Sequence, residues 1–117
     1  MTTIYTYQKC STCRKATQWL KAEGISFNEH PIRETPPIKK ELEAMLAAYD
    51  GDLRRLFNTS GLDYRALGLK DKLPAMTKKE AFQLLSEQGN LVKRPFLLSD
   101  SFKAVGFKEA DWSAGLS

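Results

Sequence analysis

Thr3-Ile4-Tyr5-Thr6-Tyr7-Gln8-Lys9-Cys10-Ser11-Thr12-Cys13-Arg14 carries the chain from one backbone regime into another. Thr3 to Tyr7 are β-branched or aromatic residues, which suit a pleated strand. The residues from Ser11 onward read as a helix that runs to Gly24, a good residue for a helix end. Cys10 and Cys13 are the only cysteines in the chain and sit three positions apart at the strand-to-helix junction. A cysteine at a helix start meets unpaired N–H groups and the positive end of the helix dipole, and both favour a thiolate. The second cysteine, one turn on, is within disulfide reach. This spacing near a β-α-β pattern is a redox signal. A structural zinc site normally needs four ligands, and the chain offers two cysteines and the distant His30. Two inert, buried cysteines are the plain alternative. Their placement beside Ser11, Thr12 and Arg14 speaks against it.

The 117 residues suffice for one domain with a modest core, and 42% hydrophobic with 27% charged residues is ordinary globular composition. No apolar run is long enough for a membrane span, and the first residues carry no basic-then-apolar signal pattern. The expectation is a cytoplasmic protein in a reducing compartment, where a close cysteine pair is catalytic or sensory rather than structural. A net charge of +4 admits an anionic substrate or an acidic partner. The basic residues are scattered, so neither nucleic acid nor membrane is a predicted partner, and the size suits a monomer.

Beyond the first helix, Ile25-Ser26-Phe27 alternates as a second strand whose path ends near Pro31. Pro36-Pro37 opens a helix carrying Ile38, Leu42, Met45, Leu46 and Tyr49. A broken stretch with Leu53, Leu56 and Phe57 leads to Asn58-Thr59-Ser60-Gly61 and a helical turn over Asp63 to Leu67. Thr77-Lys78-Lys79-Glu80 has a capping-box pattern, opening a helix that Gly89 ends. Pro95 to Leu98 and Phe102 to Val105 read as a hairpin about Ser99-Asp100-Ser101, and Lys108 to Trp112 as a closing helix. The predicted fold class is α/β, a thioredoxin-like core of glutaredoxin type with an inserted helical region. Residues 1–34 and 94–117 form the core and residues 35–93 the insertion, within one domain spanning 1–117.

Three separated segments resemble the arsenate reductase (ArsC) family, in its branch with the Spx- and MgsR-type proteins. They are Tyr7 to Ala16, Leu56 to Gly61 with Tyr64 to Leu69, and Leu91 to Pro95, with Val105-Gly106-Phe107 fitting the family's C-terminal strand end. The resemblance implies a thioredoxin-like fold with an inserted helical region. It matches Cys10 to the nucleophilic cysteine and Cys13 to the second cysteine of the Spx-like branch, where the pair closes to a disulfide. Arg94 matches an arginine that binds the substrate oxyanion, and Pro95 the proline after it, cis in the family. Asn58 and Lys103-Ala104 stand near positions where the well-studied arsenate reductases carry two further arginines, and Thr6 stands where they carry a histidine.

The function expected on these grounds is a thiol-dependent oxidoreductase resembling arsenate reductase. Cys10 attacks as a thiolate and Cys13 resolves, in thiol–disulfide exchange or oxyanion reduction. Ser11, Thr12 and Cys13 supply backbone N–H groups, and Arg14 and Arg94 add charge. Asn58 and Ser60 either cap the next helix or line the cleft, and Pro95 shapes the substrate groove. No bound cofactor is expected; glutathione, glutaredoxin or thioredoxin is the expected reductant. The alternative is an Spx-type redox-sensing regulator that binds the α subunit of RNA polymerase. Trp19 and Trp112 read as packing residues, and His30 as a surface or capping residue.

Overall fold

The computed structural model describes residues 2–116. It is a thioredoxin-like α/β fold built on a four-stranded mixed sheet with strand order β2-β1-β3-β4. Strand β1 (Thr3–Thr6) leads through the cysteine loop into helix α1 (Ser11–Ala22) and back to β2 (Asn28–Pro31), which lies parallel to β1. Strand β3 (Phe96–Leu98) pairs antiparallel with β1, and β4 (Lys103–Val105) antiparallel with β3. The expected hairpin is present, its turn closed by the Ser99 N–H donating to the Phe102 carbonyl at 2.8 Å.

Between β2 and β3 the chain forms α2 (Lys39–Ala48), α3 (Leu62–Ala66), α4 (Leu69–Lys72) and α5 (Lys78–Glu87), with short 3₁₀ turns between them. Helix α6 (Glu109–Leu116) ends the described residues and runs further than the closing helix read at Lys108 to Trp112. None of these helices is long and apolar enough to cross a membrane.

Side-chain alternation on the strands divides the core in two. Ile4, Leu97 and Ala104 face Ala16 and Leu20 of α1 and Trp112 of α6. Tyr5 and Phe96, one residue out of step, face Leu42 and Met45 of α2 and Ala81, Phe82 and Leu85 of α5. The helices between β2 and β3 therefore cover one face of the sheet, while α1 and α6 cover the other. Trp112 is buried, with its ring edge-to-face against Phe107 at 4.8 Å and Trp19 at 6.2 Å.

The second strand lies three residues later than Ile25-Ser26-Phe27. The Ile25 N–H donates to the Leu20 carbonyl at 3.0 Å, and Gly24 adopts φ 70°, so this segment is spent on ending α1. Ile25 and Phe27 pack against the α1 side of the core, and sheet pairing begins at Asn28, whose N–H donates to the Thr2 carbonyl at 2.9 Å. Helix α2 likewise starts at Lys39, beyond Pro36-Pro37. Helix α5 has its predicted box: the Glu80 N–H donates to Thr77 Oγ1 at 3.1 Å and the Thr77 N–H to Glu80 Oε1 at 2.9 Å. These bonds to Thr77 hold the Glu80 carboxyl below its ordinary value. Gly89 lies beyond the end of α5 and is buried, its Cα pressed against the end of β2. A Cβ there would stand 1.8 Å from the Ile32 carbonyl oxygen.

One tie joins two parts of this helical region just ahead of β3. Phe57 and Val92 form an isolated antiparallel bridge, in which the Asn58 N–H donates to the Leu91 carbonyl at 2.7 Å and the Lys93 N–H to the Leu56 carbonyl at 2.9 Å. The bridge sets Asn58 beside the segment that enters β3 through Arg94 and Pro95.

Candidate active site

Cys10 is the N-cap of α1. Its extended backbone (φ −94°, ψ 115°) turns the side chain over the helix start, where Sγ accepts the Cys13 N–H at 3.4 Å. Serine, threonine and aspartate caps do this with oxygen; here sulfur takes the position. The first turn of α1 contains no acidic residue, so nothing competes with a thiolate for the helix end. Cys10 is half-buried and Cys13 buried, and both are free thiols.

The two sulfurs differ in acidity. Burial pulls Cys10 upward, but hydrogen bonds from the Cys13 thiol and N–H, together with the Arg94 guanidinium, outweigh it and hold Cys10 below the ordinary thiol value. Cys13 is pushed up to about 12, first by burial and then by the neighbouring Cys10, with the Tyr7 backbone and Arg94 pulling the other way. One cysteine is therefore exposed enough to react, with its acidity raised by the helix start and Arg94. Its neighbour is kept a protonated thiol.

Arg94 is positioned on two sides. Its guanidinium lies 4.9 Å from the Tyr7 ring centroid, and Nη1 donates to Asn90 Oδ1 at 3.3 Å. Asn90 in turn donates through Nδ2 to Asp63 Oδ2 at 2.9 Å, so a chain of contacts runs from α3 through Arg94 to Cys10. The Arg94–Pro95 peptide is cis, as the resemblance implies, and Pro95 is buried.

A second guanidinium shares the Tyr7 ring. Arg33 stands 5.1 Å from its centroid and donates through Nη1 to the Tyr7 hydroxyl at 3.0 Å. Reading the sequence did not single out Arg33, although a signal was present. Strands β1 and β2 are parallel, so their C-terminal ends lie at one edge, and a residue just past Pro31 must fall beside the cysteine loop. Tyr7 and Asn90 were likewise given no site role. Their function depends on contacts that only the folded chain makes.

Asn58 and Ser60 do not cap α3: its N-cap is Gly61, with no side-chain cap bond. Both line a pocket of about 460 Å3 together with Tyr7, Arg33, Asn90 and Arg94. Ser11 and Thr12 are exposed at the first turn of α1. The Arg14 guanidinium turns back to the Gln8 carbonyl at 3.3 Å, bracing the loop, and Arg94 is the cation that acts on Cys10. Thr6 is buried with its hydroxyl donating to Glu29 Oε2 at 2.6 Å, and His30 packs against Tyr5 at 5.2 Å. Lys103 lines a separate cleft of about 810 Å3, which begins at Thr12 and Arg94 and follows β4.

Fold and site together define a Cys-x-x-Cys protein of thioredoxin-like architecture. The ArsC family model matches residues 5–114, and the chain belongs to that family. The uncharacterized protein YusI of Bacillus subtilis (strain 168) is 48% identical over 107 residues, covering 92% of this chain and 91% of YusI. The regulatory protein MgsR of the same organism is 34% identical over 110 residues, covering 93% of this chain and 85% of MgsR. The crystal structure of a possible arsenate reductase from Streptococcus mutans UA159 is 39% identical, covers 92% of each chain and superposes with a TM-score of 0.85.

Proposed function

We propose that this protein is a cytoplasmic dithiol oxidoreductase that reduces disulfides, with Cys10 as nucleophile and Cys13 as resolving cysteine. The observation that carries this reading is Cys10 Sγ seated as the cap of α1 beside Arg94, with Cys13 buried one turn behind it. The Cys10 thiolate attacks one sulfur of the substrate disulfide. A Cys10–substrate disulfide forms, and the other substrate half leaves as a thiolate that takes a proton from solvent. Cys10 then no longer carries charge, so the contribution of its thiolate to the high pKa of Cys13 disappears. Cys13 loses its proton and attacks Cys10 Sγ, releasing the second substrate half as a thiol. The substrate has gained two electrons and the protein holds a Cys10–Cys13 disulfide. An external thiol donor, glutathione, glutaredoxin or thioredoxin, returns it to the dithiol.

A disulfide is favoured over arsenate as the substrate. Each missing cationic donor to an oxyanion transition state costs about 3 kcal/mol, and Asn58 is uncharged where a second arginine would stand. Arg33 and Arg94 line the pocket with Asn58 and Ser60, where they can stabilise the thiolate that leaves the substrate disulfide.

Kinship with MgsR supports a second reading, a redox-sensing regulator in which the same disulfide acts as a switch toward a partner such as the α subunit of RNA polymerase. The test is NADPH oxidation coupled through thioredoxin or glutaredoxin systems, with a disulfide or arsenate as acceptor. The expected result is turnover with the disulfide that is abolished in Cys10→Ser and in Cys13→Ser. Absence of turnover with every acceptor, alongside redox-dependent capture of the C-terminal domain of the polymerase α chain, overturns the enzymatic reading.

A further inference from the structure

The cleft of about 810 Å3 that opens at Thr12 and Arg94 is more cationic than attack by Cys10 requires. Beyond Arg94 it is lined by Arg55, Lys93, Lys103 and Lys108, against a single carboxylate, Asp111. Among the described residues none of these cations is held in an ion pair of the kind Lys78 makes with Glu43 at 3.0 Å, remote from the cleft. Lys103 Nζ donates to the Ser99 carbonyl at 3.4 Å. Arg55 lies 4.6 Å from the Tyr49 ring centroid, and the Tyr49 hydroxyl accepts the Val105 N–H at 3.0 Å, so this wall is fixed to β4. Strand β4 is the last of the sheet, and the cleft follows its outer side. Like charges converging on a concave surface focus an electric field that draws in anions. The volume accommodates several residues of a chain rather than one inorganic oxyanion.

We propose that this cleft binds an acidic peptide segment of the substrate whose disulfide Cys10 reduces, with Lys93, Lys103 and Lys108 as the specificity-determining side chains. The proposal rests on the oxidoreductase reading above and names its substrate class. The chemistry is unchanged: Cys10 takes one half of the peptide disulfide, the other half leaves as a thiol, and Cys13 releases the bound half as the protein disulfide forms. The cleft holds the acidic flank while this happens.

The test uses pre-reduced protein and disulfide-linked dimers of one short peptide, its cysteine flanked by Glu, by Gln or by Lys. The second-order rate of protein oxidation is followed at low and high salt. The Glu peptide is expected to react about tenfold faster than the Gln peptide at low salt, and the Lys peptide slowest. The advantage shrinks as salt rises, because the attraction is screened. In the K93Q/K103Q/K108Q variant the Glu-to-Gln ratio falls to near one, whereas the K39Q/K70Q/K79Q variant, altered outside the cleft, keeps it. Equal rates for Glu and Gln peptides in the native protein, or equal loss of the ratio in both variants, overturns the proposal. The salt series on the native protein decides even where a variant folds poorly. Failure of all the peptides, the Gln one included, overturns the oxidoreductase reading, and this proposal falls with it.

Discussion

Cys10 and Cys13 are identical in chemistry and opposite in setting. Capping α1 and facing Arg94 hold one below the ordinary thiol value, and burial pushes the other well above it. Iodoacetamide therefore labels Cys10 selectively, and the labelling rate rises with pH through a midpoint below that of a free thiol. Removing Arg94 takes away a positive charge that favours the thiolate, so the midpoint moves to higher pH. In Arg94→Ala the neutral-pH rate is expected to fall on the order of tenfold. Asn90→Ala leaves the charge and loosens its placement, and shifts the profile the same way by less. An unchanged profile in Arg94→Ala contradicts the assignment. Arg94 was legible only through the family resemblance of Leu91 to Pro95, whereas Asn90 and Tyr7 carried no site signal. Their roles rest on a ring face and an amide aligned by distant segments, and no local pattern encodes such alignment.

The elements were legible where their punctuation is local. The Thr77–Glu80 box marks α5, β-branched and aromatic residues mark β1, and the Ser99-Asp100-Ser101 turn marks the hairpin. The second strand was misplaced because Ile25 and Phe27 carry an apolar signal that serves packing on α1, while the paired residues Asn28 to Pro31 are mostly exposed and polar. Gly89 looked like a helix terminator, and the fold uses it for close approach of two backbones. Gly89→Ala places a methyl group 1.8 Å from the Ile32 carbonyl oxygen, which no side-chain rotation relieves. The expected loss is about 3 kcal/mol in urea unfolding, with the slope unchanged. A loss of only a few tenths contradicts the close packing of the α5 end on β2.

Across the molecule, the sheet shares its two faces between separate cores, and Phe57–Val92 pairing stitches the intervening helices to the approach to β3. Leu91 is fully buried in the larger core and its carbonyl accepts the Asn58 N–H. Leu91→Ala is expected to cost about 3 kcal/mol. Far-UV and near-UV circular dichroism should then report one shared transition at lower denaturant, since helices and sheet lose the same core. Two separated transitions contradict a shared core. The α/β fold was legible from element order, but the basic cleft along β4 was not. Arg55, Lys93, Lys103 and Lys108 are scattered in sequence, and only the fold gathers them.

The central claim is the division of labour between the two cysteines, and trapping tests it most directly. Reduced Cys13→Ser protein is mixed with a peptide disulfide and its intact mass and adduct site are determined. The account predicts a stable peptide adduct on Cys10, while the native protein passes on to an intramolecular disulfide lighter by two hydrogens. An adduct on Cys13 in Cys10→Ser that forms as fast as the Cys10 adduct, or no Cys10 adduct at all, contradicts it.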